Sequence, residues 1–390
     1  MGAWESVRWR ERAAALAEDL TARRILTDRV WRTGLQEVPR HVFVPARAWA
    51  ESQEWTGTSR VIDRKAAASD WWNAVYTDCS IITQRDDGDT DPADPAGTPT
   101  CSLSCPSIAM EYLHLLDVND HHRVLEIGTG TGWTAAMLAW RVAQGGVLSV
   151  EVDEVLADTA LSNLRAFDPA PAVVVADGAG GCPDGAPFDR VHVTCGVRDI
   201  PPAWIEQTRP GGRIVLPWMP VGGDAYGHQL VLDVVGDGAA IGRIAGGGGF
   251  MLLRSQRRQP APADGARVGG PVVESTTQMD PRLVGDASGG LQLVLWAMLP
   301  GVSVTSGWER TADGWAYIAR LGDGESVASC AAVRGADDYQ VLQSGQLWAE
   351  AEHAVLWWLR QGSPAAERFG VMVEGGKLRL WLDRPDNLLT

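Results

Sequence analysis

A dense run of lysine and arginine is missing from this chain, and so is any excess of positive charge. Its 34 basic residues face 49 acidic ones, a formal net charge of −15, which argues against a protein that grips a phosphate backbone. No stretch approaches the roughly eighteen consecutive apolar residues that a membrane-spanning helix needs. The opening segment MGAWESVRWRERAAALAEDL is charged throughout and has no apolar signal core, so a cytoplasmic location is expected. Paired cysteine motifs are absent too. Cys79, Cys101, Cys105, Cys182, Cys195 and Cys330 contain no CxxC, and Cys101 with Cys105 lacks a matching second half. Reduced thiols and no metal site are therefore expected. Nor does any Ser/His/Asp set suggest a hydrolytic nucleophile; His192, inside an apolar strand, reads as a core histidine.

What is present is a globular balance, 45% hydrophobic and 21% charged over 390 residues, long enough for two domains. The 18 tryptophans read first as core and interface anchors, because Trp buries large area wherever it sits. Ala3 to about Thr27 reads as an amphipathic helix covering one end of the first domain. Arg85–Thr100 (RDDGDTDPADPAGTPT) reads as an exposed acidic loop, either an entry wall or a tolerated insertion. From Arg123 onward, short apolar runs alternate with helical segments. Arg123–Ile127, Val147–Val150, Val173–Ala176, Val191–Thr194 and Arg213–Leu216 read as buried strands, and Thr131–Val142, Glu154–Phe167 and Pro202–Arg209 as helices. Such alternation predicts an α/β fold with a doubly wound, mostly parallel sheet. Gln229–Val235 and Phe250–Leu253 are expected to close it with antiparallel strands. Arg257–Pro271 is rich in Pro, Gly and Ala, and serves as a linker. The expected organisation is a first domain at 1–254, its N-terminal cap at about 1–105, a linker at 255–271 and an α+β extension at 272–390. The extension should carry strands near Tyr317 and Lys377–Leu382 and a helix from about Ser344 to Gln361.

The chemistry concentrates at Val124-Leu-Glu-Ile-Gly-Thr-Gly-Thr-Gly-Trp133. A strand running into closely spaced glycines and then a helix brings backbone N–H groups close to a ligand. Alone this also fits the loose dinucleotide fingerprint. The neighbouring carboxylates favour S-adenosylmethionine. Glu126 before the loop would repel a pyrophosphate but suits a positively charged amino-acid moiety. Glu151 closes the next strand, where a carboxylate can accept both ribose hydroxyls, with Asp153 as the fallback. Asp177-Gly178 closes the third and is placed for the adenine amino group. Singly, each has a bland reading as a turn or strand cap; in order along one sheet edge they form a cofactor site.

At this point the chain resembles the protein-L-isoaspartate O-methyltransferase family. The matching segments are Glu37–Pro45 (EVPRHVFVP), Val75–Asp78 (VYTD), Ser102–Pro106 (SLSCP), the glycine loop, Ala176–Gly178 (ADG), Pro187–Asp189 (PFD), Val193-Thr194, Ile200-Pro201 and Arg209–Pro217 (RPGGRIVLP). They cover roughly residues 1–254. The resemblance implies a Rossmann-like class I methyltransferase using S-adenosylmethionine and releasing S-adenosylhomocysteine. It implies cofactor contacts from Glu126, Gly128, Thr129, Gly130, Thr131, Gly132, Glu151, Val152, Asp177 and Gly178. Substrate contacts fall on Asp78, Ser102, Ser104, Thr194 and Cys195, with Ser104 of the Ser-x-Pro motif between cofactor and substrate as the catalytic position. Ser104 also reads as a helix N-cap, since Pro106 and an apolar helix follow.

The implied reaction is methyl transfer to an aspartyl-type carboxylate of a peptide or protein, the ester then collapsing to a succinimide. A carboxylate is already ionised at neutral pH, so displacement needs alignment more than a general base. The chain departs from its relatives in Trp133 where Tyr is common, in the length of the Arg85–Thr100 loop, and in its C-terminal extension. With Trp348, Trp357 and Trp358 in it, the extension resembles the members that modify aspartate in ribosomally made peptides. Peptide tailoring is thus the first expectation and general isoaspartyl repair the alternative. A catalytically inactive binding module and a small-molecule methyltransferase are further alternatives. No nucleic-acid or membrane partner is expected.

Overall fold

The computed structural model describes residues 3–52, 58–220, 227–257, 271–312, 314–333 and 338–389. The chain divides into two compact units. The first comprises Met1–Trp218, Gln229–Ala240 and Gly248–Arg257, and the second Met219–His228, Ile241–Gly247 and Arg258–Thr390.

The first unit opens with helices α1 (Ala3–Ala22) and α2 (Arg29–Glu37), the latter capped by Asp28, whose carboxylate accepts from the Val30 N–H. The helical cap expected from the sequence also contains strands. β1 (Arg47–Ser52), β2 (Arg60–Asp63), β3 (Cys79–Arg85) and β4 (Pro99–Leu103) form an antiparallel sheet in the order β2-β1-β3-β4, with α3 (Ala68–Val75) between β2 and β3. β1 buries Ala48 and Ala50 rather than large residues and β2 spans four residues, while β3 carries a branched apolar pair, Ile81 and Ile82, that marks it as a buried strand.

Next come α4 (Pro106–Leu116), β5 (Arg123–Ile127), α5 (Trp133–Arg141), β6 (Gly146–Glu151), α6 (Glu154–Leu164), β7 (Ala172–Val175), β8 (Phe188–Val193), α7 (Pro202–Glu206), β9 (Thr208–Trp218) and β10 (Gly227–Gly236). The strands lie in the order β10-β9-β8-β5-β6-β7, and β9-β8-β5-β6-β7 pair in parallel. This is the doubly wound sheet predicted. Because the chain steps from β5 outward to β7 and returns to β8, the order reverses between β5 and β8. A crevice at their carboxyl ends is the expected ligand site in such sheets. Phe250–Leu253 is not a strand; the strand before it is β11 (Ala239–Gly248), of which Ile241–Gly247 belongs to the second unit. β11 runs through Gly246, Gly247 and Gly248 and stops before Gly249. Leu252 then makes only an isolated bridge to Gly196, while Phe250 packs its ring against Tyr112, 5.1 Å between centroids.

In the second unit, β12 (Val273–Thr277), β13 (Ser303–Thr311), β14 (Gly314–Gly322), β15 (Val327–Val333) and β16 (Tyr339–Gln343) form an antiparallel sheet ordered β12-β16-β15-β14-β13. Helices α8 (Arg282–Gly285), α9 (Gly289–Met298) and α10 (Leu347–Arg360) accompany it. Helix α10 buries Leu347, Trp348, Ala351, Ala354 and Val355, a helical period, and stops at Gly362, whose φ of +78° a side chain would oppose. β17 (Phe369–Glu374) and β18 (Lys377–Leu382) form a hairpin, with β17 beside β11. Most of the linker expected at 255–271 lies outside the described residues.

Candidate active site

The carboxyl ends of β5, β6 and β8 meet around the glycine loop. Gly128, Gly130 and Gly132 all have positive φ, +93°, +55° and +100°. At Gly128 the requirement is double, because a Cβ would sit 2.5 Å from the Thr194 hydroxyl oxygen. That hydroxyl donates to the Ile127 and Gly128 carbonyls at 3.0 and 2.6 Å and so locks the loop to the end of β8. The Thr131 side-chain oxygen, also in the loop, is buried with no partner among the described residues. Positive-φ glycines, an orphaned hydroxyl and carboxylates at successive strand ends fit S-adenosylmethionine.

The carboxylates, however, are already engaged in distinct ways. Glu151 accepts from the Gly130 N–H at 2.8 Å and the Asp153 N–H at 3.1 Å, bracing the loop it was expected to face. Burial raises its pKa against the pull of those backbone donors. Val152 beside it is exposed. Asp153, the fallback for the ribose, is the N-cap of α6 through Val155 and Leu156 and also accepts from Gln84 and Arg254. Asp177 is exposed and accepts from the Ala179 N–H and the Ser255 hydroxyl at 3.0 and 3.1 Å. A Cβ on Gly178 would strike Ile127 at 2.5 Å. Glu126 is fully buried. It accepts from the Ser149 hydroxyl at 2.6 Å and stands 3.4 Å from His192 Nδ1; Ser149 in turn meets the Thr129 hydroxyl at 2.6 Å.

Beside the loop lies a pocket walled by Ser104, Ile108, Ala109, Tyr112, Thr134, His192, Val193, Thr194 and Phe250. Of the substrate contacts expected from the sequence, Ser104 and Thr194 line it. The other three sit elsewhere. Asp78 is buried, accepts from the Ser107 N–H at 2.9 Å and pairs with Arg23 at 3.0 Å, so it serves the start of α4. That start is not capped by Ser104, as the Ser-x-Pro spacing suggested; the N-cap position is Cys105 and makes no side-chain cap bond. Ser102 lies opposite Ile82 in the β3–β4 pair. Cys195 is half-buried, and burial pushes its thiol up to about 12, as it does that of Cys101. Both thiols are therefore protonated at neutral pH.

Two residues carry more of this site than their sequence context suggested. Arg40 is buried and donates to the carbonyls of Val75, Cys79 and Ser104 at 2.6, 2.8 and 2.9 Å, its guanidinium 5.0 Å over the Trp133 ring. It thereby fixes the Ser104 backbone. Burial lowers its pKa to about 10, which leaves it charged at neutral pH. His192 is buried as expected of a core histidine, yet it is one of the residues that line the pocket. The acidic loop is likewise less loose than its composition implies. Buried Arg85 donates to Pro92 O at 3.1 Å, and Asp87 pairs with Arg254 and Arg257 at 3.0 and 2.8 Å.

Comparison with known proteins places this geometry. A protein-L-isoaspartate O-methyltransferase of Methanopyrus kandleri is 38% identical over 156 residues, 39% of this chain and 67% of that protein. Protein-L-isoaspartate O-methyltransferase 2 of Archaeoglobus fulgidus is 31% identical over 249 residues, 63% of this chain and 94% of its own. A solved structure named protein-L-isoaspartate O-methyltransferase superposes with a TM-score of 0.55 at 17% identity, covering 96% of this chain and 100% of that one; this likeness speaks for the fold. The family model described as protein-L-isoaspartate(D-aspartate) O-methyltransferase matches residues 11–239. The chain belongs to that family, and is an S-adenosylmethionine-dependent carboxyl methyltransferase of the class I fold.

Proposed function

We propose that the methyl acceptor is the free carboxylate of an aspartyl or isoaspartyl residue in a peptide, held at the Ser104 pocket. The observation that carries this reading is the position of that pocket, which shares Thr194 with the glycine loop and sets Ser104 beside Thr134 and His192 among apolar Ile108, Ala109, Val193 and Phe250. When bound, S-adenosylmethionine supplies an electrophilic methyl group on a sulfonium. In this reading Gly128, Thr129, Gly130, Thr131 and Gly132 cradle its amino-acid part near Glu126. Glu151 and Val152 flank the ribose, and Asp177 with Gly178 the adenine. Ser104 would donate to the acceptor carboxylate and orient it in the pocket. Ile108, Ala109, Tyr112 and Phe250 keep water away. No base is needed for this step, because the acceptor is ionised at neutral pH.

A second reading, tailoring of a dedicated ribosomally made peptide, is supported by a surface outside the family match. Trp308 and Trp315 are 60% and 63% exposed, and the β13–β14 register places them on one face of the hairpin. Exposed tryptophans of this kind are typical anchors for a partner chain. We assign the methyltransferase domain to 1–254 and peptide capture to 272–390. The extension does not by its presence separate tailoring from repair, since the solved relative also spans nearly the whole chain.

The experiment is methylation of an isoaspartyl peptide and its normal aspartyl twin, read by mass spectrometry. Methylation of the isoaspartyl peptide alone is the repair outcome. Inertness toward both, with S-adenosylhomocysteine still bound, selects a dedicated peptide. Failure to bind S-adenosylhomocysteine sinks both readings.

A further inference from the structure

Methyl transfer to an ionised carboxylate leaves one buried group without a task. Parallel pairing sets Glu126 beside Ser149 on one side and beside His192 on the other. The Glu126 and His192 side chains are 0% and 2% exposed, with Oε1 and Nδ1 3.4 Å apart. The second carboxylate oxygen is held by Ser149 at 2.6 Å, and Ser149 by Thr129 of the glycine loop. A carboxylate facing Nδ1 selects the tautomer with the proton on Nδ1, which leaves the lone pair on Nε2. Nε2 has no hydrogen-bond partner among the described residues, and His192 lines the same pocket as Ser104. An oriented imidazole with a free lone pair at a pocket wall is the arrangement of a general base.

The methyl ester supplies a step that proceeds unaided but that a general base speeds. We propose that the Glu126–His192 pair catalyses closure of the newly formed ester to the succinimide within the same pocket. The backbone nitrogen of the residue after the esterified one attacks the ester carbonyl carbon, forming the ring C–N bond. Its proton passes to His192 Nε2, and Glu126 stabilises the imidazolium that forms. The tetrahedral adduct collapses with cleavage of the C–OCH3 bond, and the departing methoxide takes the proton back from Nε2 and leaves as methanol. His192 ends as it began, and no oxidant or second substrate is consumed. The activity is distinct from methyl transfer and rests on the reading that the Ser104 pocket holds the peptide carboxylate.

The test uses the full chain in excess over a synthetic methyl ester of an isoaspartyl peptide, without S-adenosylmethionine. Loss of methanol from the peptide is followed by mass spectrometry against the same ester in buffer. Wild type is expected to shorten the ester's lifetime by roughly 100-fold, the ordinary scale of general-base catalysis. His192→Gln should return it to the buffer value while S-adenosylhomocysteine binding and thermal melting show the variant folded. An ester lifetime unchanged by wild type overturns the proposal, as does full acceleration by His192→Gln. A parallel sample of unesterified peptide with S-adenosylmethionine separates the two readings. A chain that neither methylates it nor binds S-adenosylhomocysteine loses the underlying assignment and this proposal together. A chain that methylates it but leaves the ester at its buffer lifetime loses the proposal alone.

Discussion

At the scale of single residues, the site depends on conformations and contacts that a side chain would block. Gly128→Ala forces a Cβ into the Thr194 hydroxyl at a φ of +93°, a strain of about 1–3 kcal/mol. It should lower stability by about that amount and weaken S-adenosylhomocysteine binding at least tenfold by calorimetry; wild-type affinity would refute the loop as the cofactor cradle. Ser104→Ala removes a polar group from the pocket wall but none of the bonds that hold its backbone, since Arg40 reaches the Ser104 carbonyl. Turnover should fall by roughly 10–100-fold with cofactor affinity kept within about twofold. Equal loss of both would mean that Ser104 serves the cofactor rather than the acceptor. The glycine spacing was legible in the sequence because positive φ restricts residue type. The Asp78 role was not, because a buried carboxylate pairing with Arg23 across the fold has no local signature.

Among the elements, the parallel strands were the most legible, since strands buried on both faces read as unbroken apolar runs. In the N-terminal sheet, β1 was hidden because it buries alanine and β2 because it is only four residues long, whereas β3 with Ile81 and Ile82 has ordinary strand composition. The closing region shows a different limit. Phe250–Leu253 has strand composition, yet the ladder belongs to β11, a segment with four glycines. β11 pairs with β17, more than a hundred residues later in the chain. Truncation at residue 271, a linker by composition, would therefore strip β11 of its neighbour and expose a strand edge. The shortened chain should melt on the order of 5 °C lower or more and aggregate in size-exclusion chromatography. A monodisperse fragment with unchanged melting would show that β17 contributes little to the fold of β11.

For the whole molecule, acid should be the weak flank. Burial pulls His41, His122 and His228 down to about 4 from an ordinary 6.5. Each is neutral in the native state above that value, and His41 Nδ1 lies 2.7 Å from the Tyr76 hydroxyl, which can donate to it. As pH falls from about 6.5 to about 4, the unfolded chain binds protons that the native state refuses, so stability is lost across that window; above it these histidines contribute no pH dependence. The urea midpoint should drop between pH 7.5 and 5, and by less in His41→Gln; equal midpoints in the wild type would contradict the burial argument. By itself the sequence determined the strand–helix alternation, the glycine loop and the order of carboxylates along one sheet edge, because these are local patterns of period and residue type. It did not determine which groups meet across strands. Glu126, Ser149 and His192 are 23 and 43 residues apart in succession, and only the parallel register sets them in one row. The His192 Nε2, without a hydrogen-bond partner among the described residues, owes its orientation to that row, and tertiary structure alone decided it.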